Sequence, residues 1–157
     1  MNSSSPVYQF LCFFKMVERL RKLRGERGER AKMDGTVFQP RLHERFPLDA
    51  AEVKPWLNAL FPVKTPTDPM VVGALLLPEI AGSKFGAVLE KELTPLRNRV
   101  AHALFESGEL ELSSDDFLSH EAVVRFLPAL KVMVRRMVKN EFPTEFAALL
   151  PDPPTRH

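Results

Sequence analysis

The sequence predicts an all-α protein, a bundle of four to five helices, and three observations lead to this prediction. Apolar residues recur every three or four positions in several segments, which is the spacing of one helix face. Two of these segments follow a Ser-Pro or a Thr-Pro pair, a common start of a helix. Strand-like alternation of apolar and polar residues is confined to residues 109–112.

The composition is typical of one folded domain with a stiff insertion. Of the 157 residues, 45% are hydrophobic and 27% are charged, as in a globular chain. The 14 prolines, about 9% against roughly 5% on average, predict short or kinked helices and stiff loops. We expect a single domain over residues 1–142, with an irregular, proline-rich insertion containing a short helix at residues 31–69, and a C-terminal tail at residues 143–157.

Charge and cysteine content exclude several classes of protein. The 22 basic and 20 acidic residues give a net charge of +2, which excludes a histone-like polycation, so contact with nucleic acid requires local clustering. Cys12 is the single cysteine, which excludes an internal disulfide and fits a reducing cytoplasm. The apolar opening lacks the positive n-region and the cleavage site of a signal peptide. We expect a cytoplasmic protein without membrane contact.

The first helix is predicted to begin at Pro6, with Ser5 as its N-cap. A helix that is apolar on several sides is buried on two faces, so either a second subunit or the interior of a monomeric bundle covers the second face. Residues 19–30, RLRKLRGERGER, form either the fraying end of this helix or a mobile loop. Their charged side chains either contact the phosphates of a nucleic acid or are solvated. The apolar residues of the helix are Val7, Tyr8, Phe10, Leu11, Phe13, Phe14, Val17 and Leu20.

The insertion is predicted to contain one short helix. Residues 31–47 are expected to be irregular, and a helix is expected to run from residue 48 to about residue 60, capped by Asp49. We expect Trp56 in the core rather than as a stacking platform for bases. Residues 61–69 are a proline-stiffened linker.

The next elements are separated by prolines. Residues 70–80 are apolar and broken by Pro78, and Ser83 then starts a helix. At Thr94-Pro95 a helix either begins or bends sharply, and a beginning would place free N–H groups there that favour an anion. The apolar stripe before this point consists of Phe85, Val88, Leu89 and Leu93.

The last long helix is predicted over about residues 121–140, after a serine- and aspartate-rich start at residues 113–116 and with a kink at Pro128. Gly108 ends the helix before it. One side carries the basic stripe Lys131, Arg135 and Lys139, which either binds RNA or is a solvated face. The predicted inner face consists of Val123, Phe126, Leu127, Leu130, Val134, Met137 and Val138.

Asn98 and His102 are four residues apart and share one face of the helix that follows Pro95. Arg97, about 100° from Asn98 around the helix, borders the same half. A guanidinium binds phosphate oxygens in a bidentate way, and an imidazole moves protons near neutral pH. These residues therefore form a candidate site for phosphoryl chemistry. In the structural alternative, Arg97 pairs with Glu90 or Glu92, and His102 caps a bundle interface.

Other kinds of site find no support in the sequence. The single cysteine and the scattered His43, His102, His120 and His157 do not have the spacing of metal ligands. GSKFG, residues 82–86, lacks the spacing of a Gly-rich phosphate loop, and no Gly-x-Ser-x-Gly elbow is present. We expect neither a metal nor a cofactor.

The string RNRVAH, residues 97–102, resembles the Arg-x4-His motif of HEPN domains, in which a polar residue often follows the arginine. Its position, in the second half of a small helical bundle and before a final long helix, is also similar. The opening segment YQFLCFFKMVERL is loosely similar to the first helix of HEPN proteins of the methylamine-utilisation accessory and phage-defence kinds.

The resemblance implies a HEPN-like bundle that forms a homodimer, with two copies of the motif facing each other across a cleft. Many such domains are metal-independent endoribonucleases of toxin–antitoxin or phage-defence systems. Arg97, Asn98 and His102 would then be catalytic, Arg99 would bind RNA, and the products would carry 2′,3′-cyclic phosphates. Further partners would be an antitoxin or another protein. The residues 31–69 have no counterpart in the family.

Two readings without catalysis remain open beside this one. The first is a silent HEPN module that dimerises or binds a nucleotide or a protein, because some members keep the motif without the activity. The second is a helical adaptor without a ligand. An open, positively charged cleft lined by Arg97 and His102 of two subunits would favour the ribonuclease.

Overall fold

A computed structural model describes residues 5–35, 44–60, 68–107 and 117–142, and in these ranges the chain is an all-α bundle. Its extended backbone is limited to one isolated bridge between Arg45 and Lys84. The predicted tail, the alternating residues 109–112 and the helix start at residues 113–116 lie outside the described residues. No helix in the described part of the chain is long and apolar enough to cross a membrane.

Helix α1, Pro6–Asp34, is 29 residues long, or about 43 Å at 1.5 Å per residue. The Ser5 side chain caps it by accepting a hydrogen bond from the Tyr8 N–H (3.4 Å), as predicted. Gly35 ends it with a φ of 69°, a left-handed conformation that glycine adopts without strain. The charged residues 19–30 continue the helix, so of the two predicted alternatives the helical one is confirmed and the mobile loop is wrong. The prediction that residues 31–47 are irregular is wrong for residues 31–34, which form the last turn of α1.

The charged half of α1 is held by a buried carboxylate at the other end of the chain. Glu141 accepts Arg24 Nη1 at 2.9 Å on one carboxylate oxygen and Arg27 Nη1 at 2.6 Å on the other. Arg27 also lies over the Phe142 ring, 5.2 Å from its centroid. We call these four residues the terminal clamp, because they join the second half of α1 to the end of the last helix, α6 (Phe117–Glu141).

Two short helices follow, α2 (Ala50–Leu60) and α3 (Pro69–Leu75). As predicted, Asp49 caps α2, since its carboxylate accepts the Glu52 N–H at 3.1 Å. The Glu52 carboxylate in turn accepts the Leu48 N–H at 2.8 Å, much as in a capping box. Asp68 caps α3 in the same way, through the Met70 N–H at 2.9 Å.

The helix that carries the candidate motif is continuous through Thr94-Pro95. Helix α4 (Phe85–Val88), a π-helical turn (Leu89–Leu93) and helix α5 (Thr94–Ser107) follow one another without a break. The Thr94 N–H donates to the Leu89 carbonyl, five residues back. The widened turn therefore ends just before Pro95, which has no N–H to place in the ladder. A helix start at Pro95, with free N–H groups for an anion, is thus excluded.

The final helix α6, Phe117–Glu141, packs most extensively against α1. The two run parallel, since Lys131 lies over Phe13 near one end and the terminal clamp closes the other. Pro128 lies inside the helix. The apolar stripes predicted for the π-helical region and for α6 face the core, where all their residues are buried except the half-buried Val138.

An aromatic cluster joins the insertion to the core. The rings of Phe46 and Phe85 are 4.6 Å apart, and Trp56 packs edge-on against Phe85. Arg136 covers the Trp56 ring at 4.3 Å and forms an ion pair with Glu44. Trp56 is half-buried and packs against the core cluster, so the prediction of a core position is confirmed only in part.

Candidate functional site

Helix α5 presents the motif on its outer face. Leu96 and Val100 are fully buried, and their side chains fix the rotation of the helix about its axis. As a result, Asn98, Arg99 and His102 are exposed and Arg97 is half-buried at the edge of the bundle. The core positions thus determine which residues of the sequence RNRVAH meet solvent.

Arg97 is held in place by two helices. Its guanidinium lies over the Phe14 ring of α1 (5.6 Å to the centroid), and its Nη2 is 3.4 Å from Glu18 Oε1. Its Nη1 donates to Asn98 Oδ1 at 3.2 Å. The ion-pair partner therefore comes from α1 and not from the neighbouring Glu90 or Glu92.

His102 lies one helical turn beyond Asn98 on the same face, about 6 Å along the axis. Its side chain is 72% exposed, and Nε2 is 3.3 Å from Glu106 Oε1. A histidine this exposed does not fit the alternative in which it caps an interface within the bundle. The structure thus brings Arg97 and Asn98 into contact and places His102 beside them in solvent.

Two residues of this site, Glu18 and Glu106, were missed by the sequence analysis. Glu106 follows His102 by four positions, so helical spacing alone could have indicated it. Glu18 belongs to another helix, and no local pattern connects it to Arg97. Only the packing of α1 beside α5 reveals this partner.

The described cavities lie away from the motif. One of about 790 Å³ is lined by Phe46, Pro47 and Trp56 among others, and one of about 380 Å³ lies between α3 and α6. Neither is lined by Arg97, Asn98 or His102. In the described part of the chain, the motif thus lies on an open surface with one imidazole.

An apolar strip lies along α1, the helix that contacts Arg97. Tyr8 is 50% and Met16 41% exposed, and the exposed Cys12 lies between them, one turn from each. A hydrogen bond with Cys12 raises the pKa of the Tyr8 phenol above its usual range. The other side of α1 is buried, and Leu11 and Phe13 are half-buried. We call Tyr8, Cys12 and Met16 the α1 strip.

The basic stripe on α6 is a weaker candidate for binding a ligand than the motif on α5. Lys131 lies over the Phe13 ring at 5.8 Å, Arg135 is exposed and Lys139 is half-buried. Among the described residues, no three His, Cys, Asp or Glu side chains are grouped as a metal site requires. The motif on α5 is thus the strongest candidate site in the part of the chain that the structure describes.

The comparison with known families gives one match. A family model described as methylamine utilization protein MauJ matches residues 1–139. The matched range contains α1 to α5 and nearly all of α6, and with them the whole candidate site. No curated protein and no solved structure matches the chain.

Proposed function

Since the chain belongs to the family of the methylamine utilization protein MauJ, we propose that it is a HEPN-like module whose two copies cut RNA at a shared cleft. The description of the family names a process, methylamine utilization, rather than a reaction. The chemistry is therefore argued from the motif. The observation that carries the proposal is the exposed His102 beside an Arg97 that two helices hold in place.

RNA can supply its own nucleophile at such a site. The ribose 2′-oxygen attacks the neighbouring phosphorus and His102 of one subunit takes its proton, while the bond from phosphorus to the 5′-oxygen breaks. His102 of the partner subunit gives a proton to that leaving oxygen. Acid–base help of this kind contributes about a hundredfold to ten-thousandfold in rate. The products are a 2′,3′-cyclic phosphate and a 5′-hydroxyl.

Arg97 and its neighbours supply the charge for this reaction. Negative charge grows on the non-bridging phosphate oxygens in the transition state, and the Arg97 guanidinium can bind two of them. Asn98 supports the guanidinium through the hydrogen bond to Nη1. The exposed Arg99, on the same turn, would bind the phosphates on either side of the cut.

A second copy is the partner that this proposal requires. The α1 strip is apolar and exposed, and it belongs to the helix that supplies Phe14 and Glu18 to Arg97. At about 100° per residue, it lies on a different side of α1 from these two residues. Burying apolar surface stabilises an interface by about 25 cal/mol per Å². In the proposed dimer, the two α5 faces border the cleft, and the edge of α1 that holds Arg97 lies beside it.

The silent HEPN module is the second candidate, and one observation favours it. Arg97 is already paired with Glu18 and stacked on Phe14, as a residue with a purely structural task would be. In that case the module dimerises or binds a partner such as an antitoxin, and it leaves RNA intact.

The deciding experiment incubates the purified protein with structured and unstructured RNA in EDTA and identifies the product ends by mass spectrometry. We expect cyclic phosphate ends, resistance of DNA and 2′-O-methyl RNA, and twice the chain mass in light scattering. His102→Ala and Arg97→Ala should lose at least a hundredfold in rate, and Asn98→Ala should lose less. His120→Ala, at a half-buried histidine of α6, is the matched control and should cut normally.

Three outcomes would contradict the proposal. Products with 5′-phosphate ends, or cutting only after Mg²⁺ is added, would mean a different chemistry. A well-folded dimer that cuts no RNA would favour the silent module. A monomer at micromolar concentration would remove the shared cleft.

A further inference from the structure

The contact between Glu18 and Arg97 joins two helices at the candidate site. Glu18 Oε1 lies 3.4 Å from Arg97 Nη2, and the Phe14 ring, one turn earlier on α1, lies beneath the guanidinium. The third contact is the hydrogen bond from Nη1 to Asn98 Oδ1. The guanidinium thus has a support below its plane and an oxygen partner at each terminal nitrogen.

This ion pair is not needed to hold α1 against α5. The side chains of Arg97 and Glu18 are 40% and 48% exposed, and pairs with this exposure contribute little to stability. Buried apolar residues, such as Phe14 on α1 and Val100 on α5, supply the packing of the bundle. The contribution of this pair to folding is therefore small.

Orientation is the task that fits. An arginine side chain has many rotamers, and fixing one of them when phosphate binds costs conformational entropy. This cost raises the barrier of the reaction and so reduces the rate. A group fixed beforehand avoids this loss. With Nη1 and Nη2 directed at Asn98 and Glu18, the plane of the guanidinium is set, and its other N–H groups are presented in one orientation.

We propose that Glu18 is a positioning residue for Arg97, one that acts through the guanidinium and does not touch the RNA. This inference rests on the proposed function and adds to it a residue from outside the RNRVAH segment. It also gives the pairing of Arg97 a catalytic meaning, in place of the structural one that favours the silent module.

The test compares kcat and KM of RNA cleavage for four proteins: the parent, Glu18→Gln, Glu18→Asp and Glu26→Gln. Glu26, an exposed glutamate two turns further along α1, is the matched control. We expect Glu18→Gln to lower kcat by about tenfold to a hundredfold with KM within twofold, as for a misplaced catalytic group. Glu18→Asp keeps the charge and should recover part of kcat, and Glu26→Gln should match the parent.

A second measurement follows Arg97 itself by NMR. The order parameter of its Nε–Hε bond, assigned with Arg97→Lys, should fall in Glu18→Gln and stay unchanged in Glu26→Gln. A structural role of Glu18 would instead lower the melting temperature and leave kcat of the folded fraction unchanged.

The outcomes separate the two proposals. An active parent with an equally active Glu18→Gln variant overturns the positioning role and leaves the proposed function standing, and so does a change confined to KM. A parent that cuts no RNA overturns the proposed function, and the positioning role in catalysis falls with it. A lower kcat of Glu18→Gln, together with a lower order parameter of Arg97, supports both the proposed function and the positioning role.

Discussion

Arginine–glutamate pairs occur in two contrasting regions of the molecule. In the terminal clamp, the Glu141 side chain is 4% exposed and that of Arg24 15%, whereas Glu18 and Arg97 at the motif are 48% and 40% exposed. A buried charge that loses its partner lowers the stability of the fold strongly. An exposed charge that loses its partner is solvated by water, and the stability changes little. The same pair of residue types thus holds helices together in one region and remains accessible to a ligand in the other.

The largest effect is expected where the carboxylate is buried. Glu141→Gln leaves Arg24 without its ionic partner in the interior, and it should lower the free energy of unfolding by about 3 kcal/mol. We expect a value at the lower end of the range for broken buried ion pairs, because the Arg27 side chain is 38% exposed and can turn to water. Urea unfolding would measure this change.

The control for the clamp is Glu106→Gln, since Glu106 is 68% exposed and its loss should change stability very little. If Glu141→Gln changed the free energy of unfolding by less than about 1 kcal/mol, the clamp would behave like a surface pair. The contrast between the two regions would then be lost.

A smaller effect on stability is expected at the motif. Arg97→Ala should lower the free energy of unfolding by about 1 kcal/mol, because the contact with the Phe14 ring is lost. His102→Ala should change it by less than about 0.5 kcal/mol, as at an exposed position. Thermal melts of both variants beside the parent would show this. A much larger loss of stability in either variant would indicate that the motif serves to hold the fold together.

A further small effect, which depends on pH, concerns a pair of intermediate exposure. A hydrogen bond from Arg125 holds the pKa of Glu79 below its ordinary value of 4.5. Because the pKa is lowered in the folded protein, this pair stabilises the fold above that ordinary value and ceases to do so as the pH falls through the lowered one. Glu79→Gln should therefore be less stable than the parent at pH 7, by under about 1 kcal/mol.

Melts of Glu79→Gln and the parent between pH 7 and pH 2 would follow this difference. It should shrink once the pH drops below 4.5, the ordinary value for Glu79. A difference that stayed constant down to the lowest pH would mean that Glu79 acts by packing and not by charge.

Local periodicity was sufficient to predict most of the fold. The stripe from Phe85 to Leu93 and the inner face of α6 were predicted by spacing alone, because burial of one face is a property of neighbouring residues. The cap residues Ser5 and Asp49 also act as predicted. Such signals need no knowledge of the rest of the chain.

The errors come from partners that are distant in sequence and from rare backbone geometry. Local pattern left residues 19–30 open between a helix end and a loop, because the contact of Arg24 and Arg27 with Glu141 has no local sequence signal. Thr94-Pro95 resembles a helix start, because the π-helical turn that accommodates Pro95 has no sequence signature of its own.

The same distinction between local signals and distant partners applies to the candidate site. Asn98 and His102 lie on one exposed face as the spacing predicts, and the half-buried Arg97 lies at its edge, since all three belong to one helix. Glu18 could not be predicted, because its place beside Arg97 depends on how α1 rotates against α5. The α1 strip was predicted in part, as the sequence shows that α1 is apolar on several sides but not which side stays exposed.

The terminal clamp has a consequence for how the protein is made. Arg27 and Glu141 are separated by 114 residues, so the partner of α1 leaves the ribosome long after α1 itself. At 5–20 residues per second, the delay is roughly 6–23 s. During this interval the buried face of α1, with Phe10 and Phe14, has no helix α6 to cover it. The apolar face of α1 is therefore open to contact with other molecules for several seconds before its partner helix is made.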